Sequence, residues 1–408
     1  MFHKIRPIPK DDLGVNVIGF VRGEFGLGQG AIMTIKALES AGIKVNAINF
    51  NRKTEQRSID KSITKISKTP QYPINIIQIQ PDHLNRFLRK HRKLLKNRYN
   101  IAFWVWELPQ FPKKWNSYFS FFDEVWTQSS FCAQSMSLVS PIPISVFTCP
   151  VMPNSSHITR QDLKLPEDKF IFLTIFDFCS SIIRKNIMGV IEAFEKVFKD
   201  DLSTILIIKT IAGDNHPLAR KQLLDRIANT ANILTVDTTL GRDEYNGLIK
   251  SCDVLVSLHR GEGFGLTMFE AMSVGKPVIA TNFSGNTDFM NDKNSFLVPY
   301  KMVEVANVNS NYTKGYSWAE PDIDKAAELM KTVRSDYNRA KEIANKAQLE
   351  LNTNYSLEKV GERMKTRLEL IYQQFDYKNL RHKNLHYTKF ILKRKTPNFL
   401  KKYFNIES

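Results

Sequence analysis

Cysteine is scarce in this chain. Its 408 residues hold four, Cys132, Cys149, Cys179 and Cys252, widely spaced and with no C-x-x-C pair. That excludes a disulfide framework and a zinc ribbon, and a reducing, cytoplasmic compartment is expected. Long apolar runs are missing too: no stretch reaches the roughly 18 residues needed to cross a bilayer. The opening MFHKIRPIPKDDLG lacks the apolar centre of a signal peptide. The sequence is therefore expected not to span a membrane. It has no G-K-[ST] for a P-loop, and no Asp-x-Asp metal box is assigned. Acidic residues are the other shortage, 41 against 58 Lys and Arg, for a net charge of +17. Core-forming material is plentiful: 42% hydrophobic and 11% aromatic residues exclude disorder for most of the chain.

Apolar runs and helical periodicities alternate along the sequence. Strand-like VNVIGF (15–20) leads into the glycine-rich RGEFGLGQG (22–30), a helical AIMTIKALESAG and a second strand, VNAINF (45–50). Further strands are predicted at 74–79, 100–106, 123–129 and 144–149. A polar, proline-containing stretch, 151–169, reads as a linker. A second series follows at 170–178, 203–210, 232–238, 252–259, 276–281 and 295–300. This is the pattern of two doubly wound α/β domains, 1–150 and 170–375, with ligands expected beyond the carboxyl ends of the strands and hence in the cleft between domains. Helical segments from 322 to about 375 are candidates to pack back across the hinge. A basic aromatic tail, 376–408, ends the chain.

The densest motif is HRGEGFGLTMFEAMSVGKPVIAT, 259–281. A strand runs into a turn holding Gly261, Gly263 and Gly265, and a helix then starts near Leu266. Small residues let a ligand approach the backbone, and the free amides of a helix start attract an anion such as a diphosphate. Glu262 and Glu270, eight residues apart, place carboxylates at the turn and two helical turns along, where they can accept hydrogen bonds from sugar hydroxyls.

With its glycine and strand context, this Glu-x7-Glu motif resembles the retaining nucleotide-sugar glycosyltransferases of family 4, which have the GT-B fold. The resemblance covers most of the chain. It implies that Glu262 reaches the donor sugar and Glu270 the nucleotide ribose. Gly263 and the amides of Phe264, Gly265, Leu266 and Thr267 would surround the distal phosphate, and Gly26 and Gly28 would approach the donor from the opposite wall. The family's basic pair, which neutralises the departing diphosphate, is matched at its lysine by Lys185. Its arginine position is occupied by Cys179, with Arg184 as the candidate replacement. The segment WVWELPQFP (104–112) resembles bacterial O-antigen mannosyltransferases within the family. It places Trp106 and Glu107 at the cleft, where many members carry a histidine. Asn286, from SGNTDFMNDKNSFLVPY (284–300), is a further sugar-contact candidate, and Trp318 a candidate wall.

The same resemblance implies transfer of a hexosyl unit with retention, without cofactor or resident metal. GDP-mannose is the leading donor and a UDP-sugar the alternative. The acceptor would be a lipid-linked glycan, as in cell-surface polysaccharide or lipopolysaccharide assembly. A dinucleotide enzyme is disfavoured because GEFGLGQG departs from strict G-x-G-x-x-G and the second strand ends Asn49, Phe50, Asn51 without a carboxylate. A nucleic-acid-binding protein and a silent sugar-binding protein are the non-enzyme alternatives. The positive charge concentrates in LNRFLRKHRKLLKNR (84–98), read as a basic amphipathic helix, and in the tail. Both are expected to hold the protein peripherally on an anionic membrane face, with no nucleic-acid partner.

Overall fold

The computed structural model describes residues 13–23, 25–50, 60–306, 308–309 and 311–374. The basic tail lies outside the described residues. The first sheet contains β1 (Gly14–Gly19), β2 (Lys44–Asn49), β3 (Ile74–Gln78), β4 (Tyr99–Phe103), β5 (Glu124–Thr127) and β6 (Ile144–Val146), in the order β2-β1-β3-β4-β5-β6. The second contains β7 (Phe170–Asp177), β8 (Thr204–Ile211), β9 (Ile233–Val236), β10 (Val254–Ser257), β11 (Val278–Thr281) and β12 (Phe296–Val298), in the order β12-β11-β10-β7-β8-β9. Every pairing within the two sheets is parallel. The helices are α1 (Gly26–Ser40), α2 (Pro81–His91), α3 (Ser130–Ser137), α4 (Ile182–Lys185), α5 (Ile187–Phe198), α6 (Pro217–Ile227), α7 (Arg242–Ser251), α8 (Leu266–Ser273), α9 (Ile323–Ser335), α10 (Tyr337–Asn354) and α11 (Leu357–Gln374). Strands buried on both faces and covered by helices explain the near-continuous apolar runs.

The first sheet also carries a buried polar line. Asn16, Asn46, Asn75 and Asn100 occupy paired positions on adjacent strands. Their amides hydrogen-bond across the sheet, Asn46 to Asn16 at 2.9 Å, Asn16 to Asn75 at 2.9 Å and Asn75 to Asn100 at 2.8 Å. A slip of one residue would leave these groups unpaired in the interior, so the line fixes the register.

Several strands end sooner than predicted. The strand expected to reach Trp106 stops at Phe103, and that expected to reach His259 stops at Ser257. In both places the chain leaves its sheet to meet the other domain. An antiparallel hairpin not anticipated from sequence, β13 (Tyr300–Glu304) and β14 (Ser317–Pro321), follows β12. Its Val305, Tyr312 and Trp318 join the first domain's aromatic core with Trp104, Trp106, Phe111 and Trp115.

The last helix crosses back. In α11, Val360, Met364, Leu368 and Ile371 pack with residues of β1 and α1, so this helix joins the first domain, not the 170–375 unit. A side chain at Gly361 would collide with the Ala37 carbonyl, which shows how closely the helices approach. The two crossings lie side by side, the Val151 amide donating to the Tyr355 carbonyl at 2.6 Å. Within the expected linker, Arg160 binds Asp253 at 2.9 Å and so ties that stretch to the second domain.

The expected helix at 84–98 is α2 plus a short 3₁₀ turn, Arg92–Leu95. Leu84, Phe87, Leu88 and Leu95 are buried in the core, while Arg89, Lys90, Arg92, Lys93 and Lys96 are exposed. Its apolar face is already covered by protein, leaving an exposed basic strip. Among the described residues no helix is long and apolar enough to cross a membrane.

Candidate functional site

The loop after β10 forms the floor of the cleft. Gly265 adopts φ 97°, which suits glycine, and starts α8 so that the helix's first amides face away from its own hydrogen-bond ladder. The first domain grips this loop. A side chain at Gly261 would strike the Glu107 carbonyl, and one at Gly263 would press on Val105. The Gly263 carbonyl accepts from Ser129 Oγ at 2.6 Å and from the Cys132 thiol at 3.1 Å. Phe264 is buried against Phe269 and Phe289, whereas Leu266 and Thr267 are half-buried.

Glu262, Arg184 and Lys185 converge here, although Lys185 lies 77 positions before Glu262 in the sequence. Ser181 caps α4, and the two basic residues leave that short helix in different directions. Lys185 Nζ reaches Glu262 Oε1 at 2.5 Å and keeps some exposure. Arg184 turns inward: it is 4% exposed, donates to the Gly261 carbonyl at 2.5 Å and to Ser180 Oγ at 2.8 Å, and lies 3.3 Å from Glu262 and 3.5 Å from Glu107. Burial alone would raise the Glu262 pKa, but Lys185 and then Arg184 outweigh it and hold the carboxyl down at about 2. Cys179, at the family's arginine position, is exposed.

Glu270 faces a small interdomain recess shared with Met33, Pro150 and Asn246. It is not free: Arg242 binds it at 2.6 Å and the Tyr245 hydroxyl donates to it at 2.9 Å. Neither partner is legible in the sequence, since spacing along α8 says nothing about what α7 presents. On the facing wall Gly26 is exposed with open space beside it, while Gly28 packs directly against the Gly23 backbone.

The remaining candidates sit differently from expectation. Trp106 is 3% exposed and its face is covered by Tyr312, with ring centroids 5.7 Å apart, so it is not an open contact for a sugar or acceptor. Asn286 is wholly buried and donates to the Thr281 carbonyl at 3.0 Å, supporting the glycine turn from behind. Trp318 belongs to the first domain's core, beneath Arg260. Glu107 does stand at the cleft, but as a partner of Arg184 and Tyr312. The sequence does contain an Asp-x-Asp triplet, Asp322 to Asp324, but it opens α9: Asp322 caps the helix and Asp324 pairs with Lys196 at 3.0 Å. Among the described residues no group of three or more His, Cys, Asp or Glu converges as a metal site would require.

His259 lies fully buried behind Glu262. Burial, opposed by Glu262 and reinforced by Lys185 and Arg184, lowers its imidazole to about 4. The unfolded chain, near 6.5, takes up the proton first, so stability falls as pH drops from about 6.5 to about 4. Unfolding free energy at pH 5 is expected to be about 2 kcal/mol below that at pH 7 through this residue. Urea titrations of wild type and His259→Gln at both pH values check this; an equal drop in the variant would assign the loss elsewhere.

Residues 156–350 match the protein family described as "Glycosyl transferases group 1". No curated protein matches the chain in sequence. Among solved structures, Anabaena HepE in complex with UDP-glucose aligns with a TM-score of 0.65 at 13% identity, covering 87% of this chain and 99% of that one. A glycosyltransferase from Rickettsia africae aligns at 0.64 and 17% identity, covering 88% and 98%. Sucrose-phosphate synthase from Thermosynechococcus elongatus aligns at 0.63 and 15%, covering 89% and 100%. At these identities the likeness carries the fold, and the fold is GT-B. With the family match over the second domain, it supports a GT-B glycosyltransferase.

Proposed function

We propose that this chain is a retaining glycosyltransferase that moves a hexosyl unit from a nucleoside diphosphate sugar to a glycan acceptor. The observation carrying the proposal is the buried contact of Glu262 with Lys185 and Arg184 beside the start of α8. A carboxylate for hydroxyls, a cation for a departing diphosphate and a helix amino terminus for phosphate oxygens meet within one cleft. In the transfer, the anomeric carbon loses the diphosphate oxygen and gains the acceptor oxygen on the same face. The leaving phosphate takes up the acceptor proton. Fixed amides and Lys185 act where negative charge appears, and no protein nucleophile, cofactor or resident metal is required. Donor binding requires Glu270 to exchange Arg242 or Tyr245 for ribose hydroxyls.

The resemblance of 104–112 to O-antigen mannosyltransferases makes GDP-mannose the first donor, a lipid-linked glycan the acceptor and cell-surface polysaccharide the product. The exposed strip on α2 supports attachment to an anionic inner membrane face by charge alone. UDP-glucose is the second donor, favoured by the HepE complex. Thermal protection by a panel of sugar nucleotides, followed by NMR of the product's anomeric configuration, tests both. GDP-mannose is expected to raise the melting temperature most; protection by none would overturn the reading, and an inverted product would overturn retention.

A further inference from the structure

The hairpin of β13 and β14 is anchored to both domains. Gln110 of the first domain exchanges two hydrogen bonds with Ser317, at 3.0 and 3.1 Å, and Lys114 reaches Asn311 at 2.8 Å. On the second domain, Arg260 makes a bidentate pair with Glu320, both contacts at 2.6 Å. The same arginine donates from its side chain to the Ile183 carbonyl at 2.5 Å and from its amide to the Arg184 carbonyl at 2.7 Å. The hairpin is thus joined to the short helix that carries the basic pair.

At its tip the Asn309 side chain accepts the amides of Asn311 and Tyr312, which aims Tyr312 into the cleft. Its ring stacks on Trp106 at an interplanar angle of 17° and lies 5.8 Å from the Arg184 guanidinium carbon. Its hydroxyl donates to Glu107 Oε2 at 3.1 Å, leaving Oε1 to face Arg184 at 3.5 Å. Two acids and two bases are therefore closed into one cluster, with Tyr312 holding Glu107 and Lys185 holding Glu262. If Glu107 turned away, Arg184 would keep a buried positive charge with one carboxylate fewer, and its hold on Glu262 would loosen.

We propose that Tyr312 is a positioning residue: from the hairpin it fixes Glu107, and through Glu107 the guanidinium of Arg184, so that closure of the cleft and placement of Glu262 are one event. Its kinetic consequence rests on the glycosyltransferase reading. Tyr312→Phe keeps the stacked ring and loses the hydroxyl. It is expected to lower kcat roughly tenfold with the donor KM within about threefold of wild type, because the loss falls on the reacting arrangement. On a Glu107→Gln background it is expected to add less than about twofold, the two residues acting as one unit. A Tyr312→Phe kcat at the wild-type value, or independent multiplication of the two effects, would overturn the proposal.

A second measurement needs no turnover. Spin labels at Leu138 and Leu218, which are 80% and 79% exposed on opposite domains, report the cleft in a Cys179→Ser background. Tyr312→Ala, which removes the stack as well, is expected to broaden the distance distribution, and an unchanged distribution would overturn the clasp. Absence of wild-type turnover with every sugar nucleotide would defeat the glycosyltransferase reading, and the label distances would then decide the clasp by themselves.

Discussion

Lys185→Ala is expected to lower kcat by roughly 10²–10³, about 3–4 kcal/mol in the barrier, while the protein stays folded. The size follows from where the charge sits. Lys185 is the member of the basic pair that retains exposure, and its ammonium already touches Glu262. Arg184 cannot replace it, since its donors are directed to Gly261, Ser180 and the two carboxylates. A leaving diphosphate gains negative charge in the transition state, so a fixed cation there acts more on the barrier than on ground-state binding. The donor KM is therefore expected to change less than kcat. Lys185→Arg keeps the charge on a different fork and should recover only part of the rate. Some stability should be lost with the contact to buried Glu262, but the fold is expected to hold, because Arg184 still faces Glu262 and Ser181 still caps α4. Steady-state kinetics with the donor chosen by thermal protection, beside melting curves, decide the matter: wild-type rates in the alanine variant would sink the site assignment.

The parts of this site legible in the sequence are those set by local spacing. A strand, a glycine turn and a helix start follow one another within 254–273, so the floor of the cleft and the position of Glu262 can be read directly. The parallel alternation of both domains is equally plain, because strands buried on two faces produce unbroken apolar runs. What the sequence hides is which distant element meets which. Arg184 and Lys185 are neighbours in sequence, yet one turns inward and the other toward the cleft, a consequence of helical rotation in α4. The hairpin was hidden because its strands are far apart, with no tight-turn dipeptide to announce their pairing. Its role depends on Trp106 and Gln110, about 200 residues earlier. The apolar positions of α11 show a helix with one buried face, but not that the face belongs to the first domain.

That returning helix leads to the largest expected loss of stability. Glu124 on β5 is completely buried, and its carboxylate accepts from Arg367 of α11, at 3.1 Å to Nε, from Trp126 Nε1 at 2.5 Å and from the Tyr99 hydroxyl at 3.3 Å. Arg367 is the cation paired with it. Arg367→Ala would leave a desolvated carboxylate with neutral donors only, and such a break costs roughly 3–5 kcal/mol. The double variant Arg367→Leu with Glu124→Gln removes both charges. It is expected to lie within about 2 kcal/mol of wild type, since an uncharged pair has no ion left to solvate. Urea titrations of the three proteins measure the difference. A single-variant loss below about 1 kcal/mol would mean that Glu124 is adequately served by Trp126 and Tyr99. The consequence reaches the cleft, because α11 follows Tyr355, whose carbonyl receives Val151 where the chain crosses between domains. Loosening α11 frees one of the two crossings that set how the domains face each other. In Arg367→Ala, turnover is therefore expected to fail at a lower urea concentration than the unfolding of the second domain, whose core along β7 and α5 does not include Arg367.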